Sequence, residues 1–259
     1  ALLVSAYGVL GSFLGGWRRS PALVDSSRYA LYSVPVLLLI SVYALVYAFV
    51  TKDFSVAYVV ENSNLAMPDR YAWVAFYAGN AGSLLFIAFV YSVMAVAVAA
   101  SMVRRLPYTL PYATGLLGVL LSFFLFVIVF LANPLDRLAF ALPDGQGINP
   151  LLVHFGMFIH PPMQMAGLVS VALPFSIAMG ALMAGRGGRD EWVDLGRMWG
   201  MVSWLILTIG LLLGSWWAYT ILGWGGYWAW DPVENSALMP WLALTAFVHS
   251  VMVQKRRGM

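Results

Sequence analysis

The sequence predicts an all-α polytopic membrane protein, with about seven transmembrane helices and an aromatic segment facing outward. Three observations predict it. Apolar residues make up 62% of the chain and charged residues 10%, against roughly 45–50% and 25% in soluble domains. A soluble fold cannot hide that much apolar surface from water. The apolar residues also fall into stretches of about 17–25, the length that crosses a bilayer as a helix, and the basic residues gather on alternate connectors.

The stretches run Ala1–Trp17, Tyr29–Val50, Ala78–Met102, Pro111–Leu131, Met157–Ala184, Met198–Leu222 and Ser236–Val253. The first is short. It is apolar from its first residue, with no basic n-region or cleavage site, so no signal peptide is predicted. The fifth opens beside Pro161-Pro162, which a first helical turn tolerates and a helix interior does not. Arg18, Arg19 and Arg28 follow the first stretch, Arg104 and Arg105 the third, Arg186, Arg189 and Arg197 the fifth, and Lys255, Arg256 and Arg257 the seventh. Only Lys52, Arg70 and Arg137 stand on the other connectors. Excess Lys and Arg mark cytoplasmic loops, so the N-terminus is expected outside and the C-terminus in the cytoplasm.

The chain has no cysteine, which excludes a disulfide scaffold, a thiolate-bound metal and a thiol nucleophile. The net charge of +3 fits the basic connectors of a membrane protein. No RNP, zinc-finger or basic-helix pattern is present, so no nucleic-acid partner is expected.

Five of the 11 Trp residues lie between Trp216 and Trp230: Trp216, Trp217, Trp224, Trp228 and Trp230. Trp and Tyr collect at headgroup depth, so an interfacial belt is one reading. The run is concentrated, however, and broken by Gly223, Gly225 and Gly226, which permit tight turns and a close approach of a flat ligand to the backbone. A stacked aromatic slot for a planar, apolar molecule is the other reading. Asp231-Pro232 with Glu234 reads as the capped start of the last helix. The donors nearest to the slot are that helix N-terminus and Asn235.

The string from Trp224 to Asn235, Trp-Gly-Gly-Tyr-Trp-Ala-Trp-Asp-Pro-Val-Glu-Asn, resembles the WWD signature of the haem-handling proteins of cytochrome c maturation. Its continuation, Ser236-Ala237-Leu238-Met239-Pro240-Trp241-Leu242, is most similar to the CcmF branch, as are Asp53-Phe54-Ser55-Val56 and Val60-Glu61-Asn62-Ser63-Asn64. One departure is Asn80-Ala81, before Gly82-Ser83-Leu84-Leu85, where CcmF-type chains usually carry His-Glu. The resemblance runs from about the second stretch to the end. Members of this family are much longer, so the chain is read as an N-terminal fragment or the product of a split gene. Its parts would be residues 1–215 with spans one to six and outer loops, 216–235 as the outer WWD haem-binding segment, and 236–259 as the last span and a cytoplasmic basic tail.

Imidazole is a common ligand of haem iron, and the chain has three histidines. From the residues alone, His160 reads as a ligand or as a polar residue at a helix start. It resembles the outer axial histidine that precedes the WWD segment, which implies outer haem iron as its partner. His249 stands within a span, where an ionisable residue points to function. It resembles the transmembrane histidine that holds a buried b-type haem. His154 reads as a surface-loop residue. Each iron would then need a second ligand from sequence outside this chain.

The resemblance implies a cytochrome c maturation role in the inner membrane, with haem attached covalently to apocytochrome c in a haem-lyase reaction. Haem at Trp216, Trp224, Trp228, Trp230, Asp231 and Asn235 would be the transferred substrate, and haem b at His249 an electron relay. Implied partners are haem, apocytochrome c, a haem carrier, other maturation membrane proteins, the remaining C-terminal part of the same protein and lipid. Alternatives are a transmembrane haem transporter and a CcmC- or CcsA-type haem-handling protein.

Overall fold

In lipid the backbone finds no water, so each apolar stretch must satisfy its own N–H and C=O groups as a helix. The computed structural model describes residues 1–188 and 191–257, the last three of them by their backbone. Arg189 therefore lies outside the described residues, as do the side chains of Lys255, Arg256 and Arg257.

The helices in order are α1 (Leu2–Arg18), α2 (Pro21–Val50), α3 (Ala57–Asn62), α4 (Ala72–Phe76), α5 (Asn80–Met102), α6 (Leu110–Phe130), α7 (His160–Ser170), α8 (Ala172–Met183), α9 (Glu191–Ile221) and α10 (Pro232–Arg257). Among the described residues, six helices are long and apolar enough to cross a membrane, with α7 and α8 counted as one. The expected first span is α1, at 17 residues about 25 Å long. It is short of a ~30 Å hydrocarbon core, and it packs along α2 and α6.

The fifth stretch breaks where the sequence reading has one span. Pro174 in α8 has no N–H to give to the Ser170 carbonyl four residues back. Ser203 Oγ on α9 donates to that carbonyl instead, at 2.8 Å. The freed acceptor is thus satisfied across the bundle, and α7 and α8 both lie on α9. Tyr91, Leu85, Leu117, Leu121, Leu173 and Ile177 are fully buried, and they form the centre where α5, α6 and α8 meet.

The connectors alternate between two ends. At one end, residues 51–79 and 131–159 pair through their backbones: Ala57 N–H donates to Asp136 O, Leu138 N–H to Ser55 O and Gln146 N–H to Val60 O, at 2.7–2.9 Å. Tyr58 Oη accepts from Gly79 N–H at 2.8 Å, and burial pushes its pKa up to about 12. Tyr77 Oη donates to Met157 O at 2.7 Å. At the other end, the Arg186 guanidinium lies 4.3 Å from the Tyr108 ring centre, and Trp199 Nε1 donates to Ser101 Oγ at 3.3 Å. The last helix, α10, packs mainly on α9. Trp204 and Trp241 stack there, with ring centres 5.9 Å apart. Their indole nitrogens donate to Thr245 Oγ1 and Thr208 Oγ1 at 2.8 and 2.7 Å.

Candidate functional site

The tryptophan-rich segment begins inside a helix. α9 continues to Ile221, so Trp216 and Trp217 stand on its last two turns, and only 222–231 leave helical geometry. Gly223 and Gly225 take φ of 72° and 75° there, and Trp230 takes 58°, the left-handed region that glycine enters without strain. Tyr227 returns the turn to α9 by stacking on Tyr219, 4.3 Å between ring centres.

A reciprocal cap ends the turn. Glu234 N–H donates to Asp231 Oδ1 at 2.7 Å, and Glu234 Oε2 accepts from Ala229 N–H at 2.8 Å and from Asp231 N–H at 3.4 Å. Asn235 Nδ2 donates to Trp230 O at 3.0 Å. Asp231, Glu234 and Asn235 are thus occupied in shaping the turn.

His160 is the first residue of α7 and faces α9. Its Nδ1 lies 3.1 Å from Gly210 O. A carbonyl only accepts, so Nδ1 carries the proton and Nε2 keeps its lone pair. The ring can come this close because residue 214 is glycine: a Cβ there would lie 2.6 Å from His160 Cε1. The Trp217 ring lies nearly parallel to the imidazole, at 15° and 6.2 Å between centres.

These groups share a cleft lined by His160, Gln164, Trp217, Trp224, Trp228 and Asp231, with an internal volume of ≈ 100 Å³. Pockets that enclose a drug-sized ligand hold roughly 300–1,000 Å³. The cleft is therefore a ledge with one wall. Three buried polar atoms on it have no hydrogen-bond partner: Trp217 Nε1, Trp228 Nε1 and Gln164 Oε1. Buried polar groups are ordinarily paired, so the ledge presents two donors and an acceptor beside an imidazole with a free nitrogen. These residues would fit haem: His160 Nε2 would hold the iron, with a flat aromatic surface beside it for the macrocycle.

The other expected residues are dispersed. Trp216 packs against His154, with ring centres 5.3 Å apart. Trp230 is 69% exposed and meets Trp228 edge to face. His154 Nδ1 accepts from Gly156 N–H at 3.0 Å and caps a short 3-10 turn. Of the arginines on the connectors expected outside, Arg70 lies over Tyr71 and Arg137 pairs with Val56 through the backbone. Neither lines the ledge. Trp217, Gln164, Gly210 and Gly214 are the site residues that the sequence reading leaves out. The helical spacing 210, 214, 217 is the signal that finds three of them.

His249 lies on α10, exposed, with Nδ1 2.7 Å from Thr245 O, so its Nε2 is also free. Twelve residues separate it from Ala237 beside the ledge, about 18 Å along a helix. One iron atom cannot bond to both His160 and His249.

The chain is similar to known proteins in sequence and in fold. The family described as cytochrome C assembly protein matches residues 77–259. The cytochrome c-type biogenesis protein CcmF of Pseudomonas fluorescens is 39% identical over all of this chain and 39% of its own length. The Escherichia coli protein of the same name is 37% identical, again over all of this chain and 39% of its own length. The solved structure titled Cytochrome c Heme Lyase CcmF superposes with a TM-score of 0.83 at 29% identity, over 99% of this chain and 41% of that one. The chain thus spans about two fifths of the length of these relatives. From the family match over most of the chain, with the fold and sequence likeness beside it, the chain belongs to the cytochrome c assembly protein family, as a CcmF-type member.

Proposed function

We propose that this chain forms the haem-presenting part of a cytochrome c biogenesis protein. The single observation that carries the reading is His160, its Nδ1 anchored to Gly210 O and its Nε2 free beside Trp217 and two unpaired indole N–H groups. His160 supplies one axial ligand at the ledge. Trp217 and Trp228 support the face of the ring and offer N–H donors to its carboxylate edge, and Trp224 closes the turn beside them. Haem held there as substrate offers its vinyl groups to the cysteine thiols of an apocytochrome c. The chain has no cysteine of its own, so both thiols belong to that substrate. A ledge with one wall leaves the opposite face to a haem carrier, the apocytochrome or the rest of the same protein.

His249 Nε2 would hold a second haem, of b type, which when bound would supply electron transfer. Its exposure on α10 supports a site completed by a histidine from the remaining C-terminal part. Thr245 O fixes the direction of this ring as Gly210 O fixes that of His160.

Reduced-minus-oxidised spectra of the intact, purified protein test the assignment. His160→Ala is expected to remove the outer haem signal and keep the buried one, and His249→Ala the reverse. Loss of both signals from either change, or of neither, would sink the two-site reading.

A further inference from the structure

At the end of the bundle opposite to the haem ledge, α2 and the end of α5 border a second, open cavity of ≈ 430 Å³. Arg28, Arg104 and Arg105 line it, with Tyr29, Tyr32 and Ser101. No carboxylate does. The nearest acid by sequence, Asp25, pairs with Arg28 Nη2 at 3.0 Å but stands outside the lining, so the cavity keeps a surplus of positive charge. Arg104 and Arg105 make no ion pair among the described residues.

Arg28 is held in place. Its side chain is only 13% exposed, and its guanidinium carbon lies 5.1 and 5.9 Å from the Tyr29 and Tyr32 ring centres. Its Nε is buried without a partner. A guanidinium that is mostly buried, paired with Asp25 and set beside two aromatic rings is pre-ordered before a ligand arrives. The unpaired N–H then calls for an acceptor, and a phosphate oxygen supplies one with charge.

The surroundings specify what carries the phosphate. Arg28 lies seven residues into α2, about 10 Å from its start, and Arg104 and Arg105 follow directly on α5, so the cavity lies at headgroup depth. On the same face of α2 as Tyr32, Val36 and Ile40 are exposed apolar residues at four-residue steps, and Val93 is exposed on α5. An acyl chain anchored at the arginines has an apolar surface to lie on. We propose that this cavity is a binding site for an anionic glycerophospholipid, with its phosphodiester on Arg28, Arg104 and Arg105. Basic pockets between transmembrane helices hold acidic headgroups by this chemistry.

Native mass spectrometry of the full-length protein tests it, after exchange into nanodiscs of phosphatidylcholine with or without phosphatidylglycerol. Each interfacial Lys or Arg contributes roughly fivefold to binding of an acidic headgroup. The protein is therefore expected to retain phosphatidylglycerol over phosphatidylcholine by at least about tenfold. The exposed pair Arg104→Gln with Arg105→Gln should lower that preference by at least about fivefold without touching the bundle interior, and added Arg28→Gln should abolish it. Both haem spectra should persist in these variants, which separates this site from the ledge. Equal retention of the two lipids, or an unchanged preference in the triple variant, overturns the proposal. So does inorganic phosphate at millimolar concentration displacing the lipid, because free phosphate is then the ligand.

Discussion

Gly214 decides how near an imidazole comes to α9. With a methyl group there, His160 Cε1 would have an atom 2.6 Å away, closer than any ordinary contact, and the ring would leave the Gly210 carbonyl. Gly214→Ala is expected to weaken the outer haem signal by tenfold or more in a haem titration while the signal assigned to His249 stays. An unchanged outer signal would mean that ring placement does not matter to binding. How legible this corner is in the sequence depends on phase. Counting tryptophans draws attention to Trp216, Trp217, Trp224, Trp228 and Trp230 alike. Only the 100° step between neighbours on α9 separates Trp216, which goes to His154, from Trp217, which goes to His160. Gln164 has no motif at all. It matters because α7 meets α9 at Gly167, Gly210 and Gly214, and a single sequence does not show that crossing.

Turn and helix are joined by the Asp231–Glu234 cap. Its pattern, an acid before proline with a second acid three residues on, is local chemistry and so is readable without a structure. Asp231→Ala is expected to cost about 1 kcal/mol, seen as a lower Tm in detergent and as weaker haem retention, because the turn carrying Trp224 and Trp228 loses its anchor. Asp231→Asn, which keeps an acceptor for Glu234 N–H, should recover most of both. If Asn fails as badly as Ala, the carboxylate has a role beyond capping. The break between α7 and α8 is the opposite case. Pro174 is visible in the sequence, but proline in an apolar helix either kinks it or is absorbed. The outcome here turns on Ser203, 33 residues beyond the Ser170 carbonyl that it satisfies.

Across the whole bundle, apolar length locates the helices, since lipid leaves the backbone few alternatives. But α2 begins eight residues before Tyr29 and α9 seven before Met198, so Arg28 and Arg197 stand on helices and not on connectors. The connectors themselves are not legible in this way. They pair through backbone groups that every residue carries, so their sequence holds no record of the partner. The proposed orientation, with the ledge outside, can be tested because the chain lacks cysteine. Ala141→Cys should react with a membrane-impermeant maleimide in intact cells, and Gly188→Cys only after permeabilisation. The reverse pattern would turn the protein over.

The backbone pairing of 51–79 with 131–159 also bears on assembly. Leu138 N–H reaches Ser55 O from beyond α5 and α6, so both partners are present only after that hairpin has entered the bilayer and returned. Contacts between such distant segments close late. The cap at that end, and the shelf for His160 that follows it through Tyr77 and Met157, therefore sets only once α5 and α6 are in place. Insertion of the helices comes first, and competence to hold a ligand follows it.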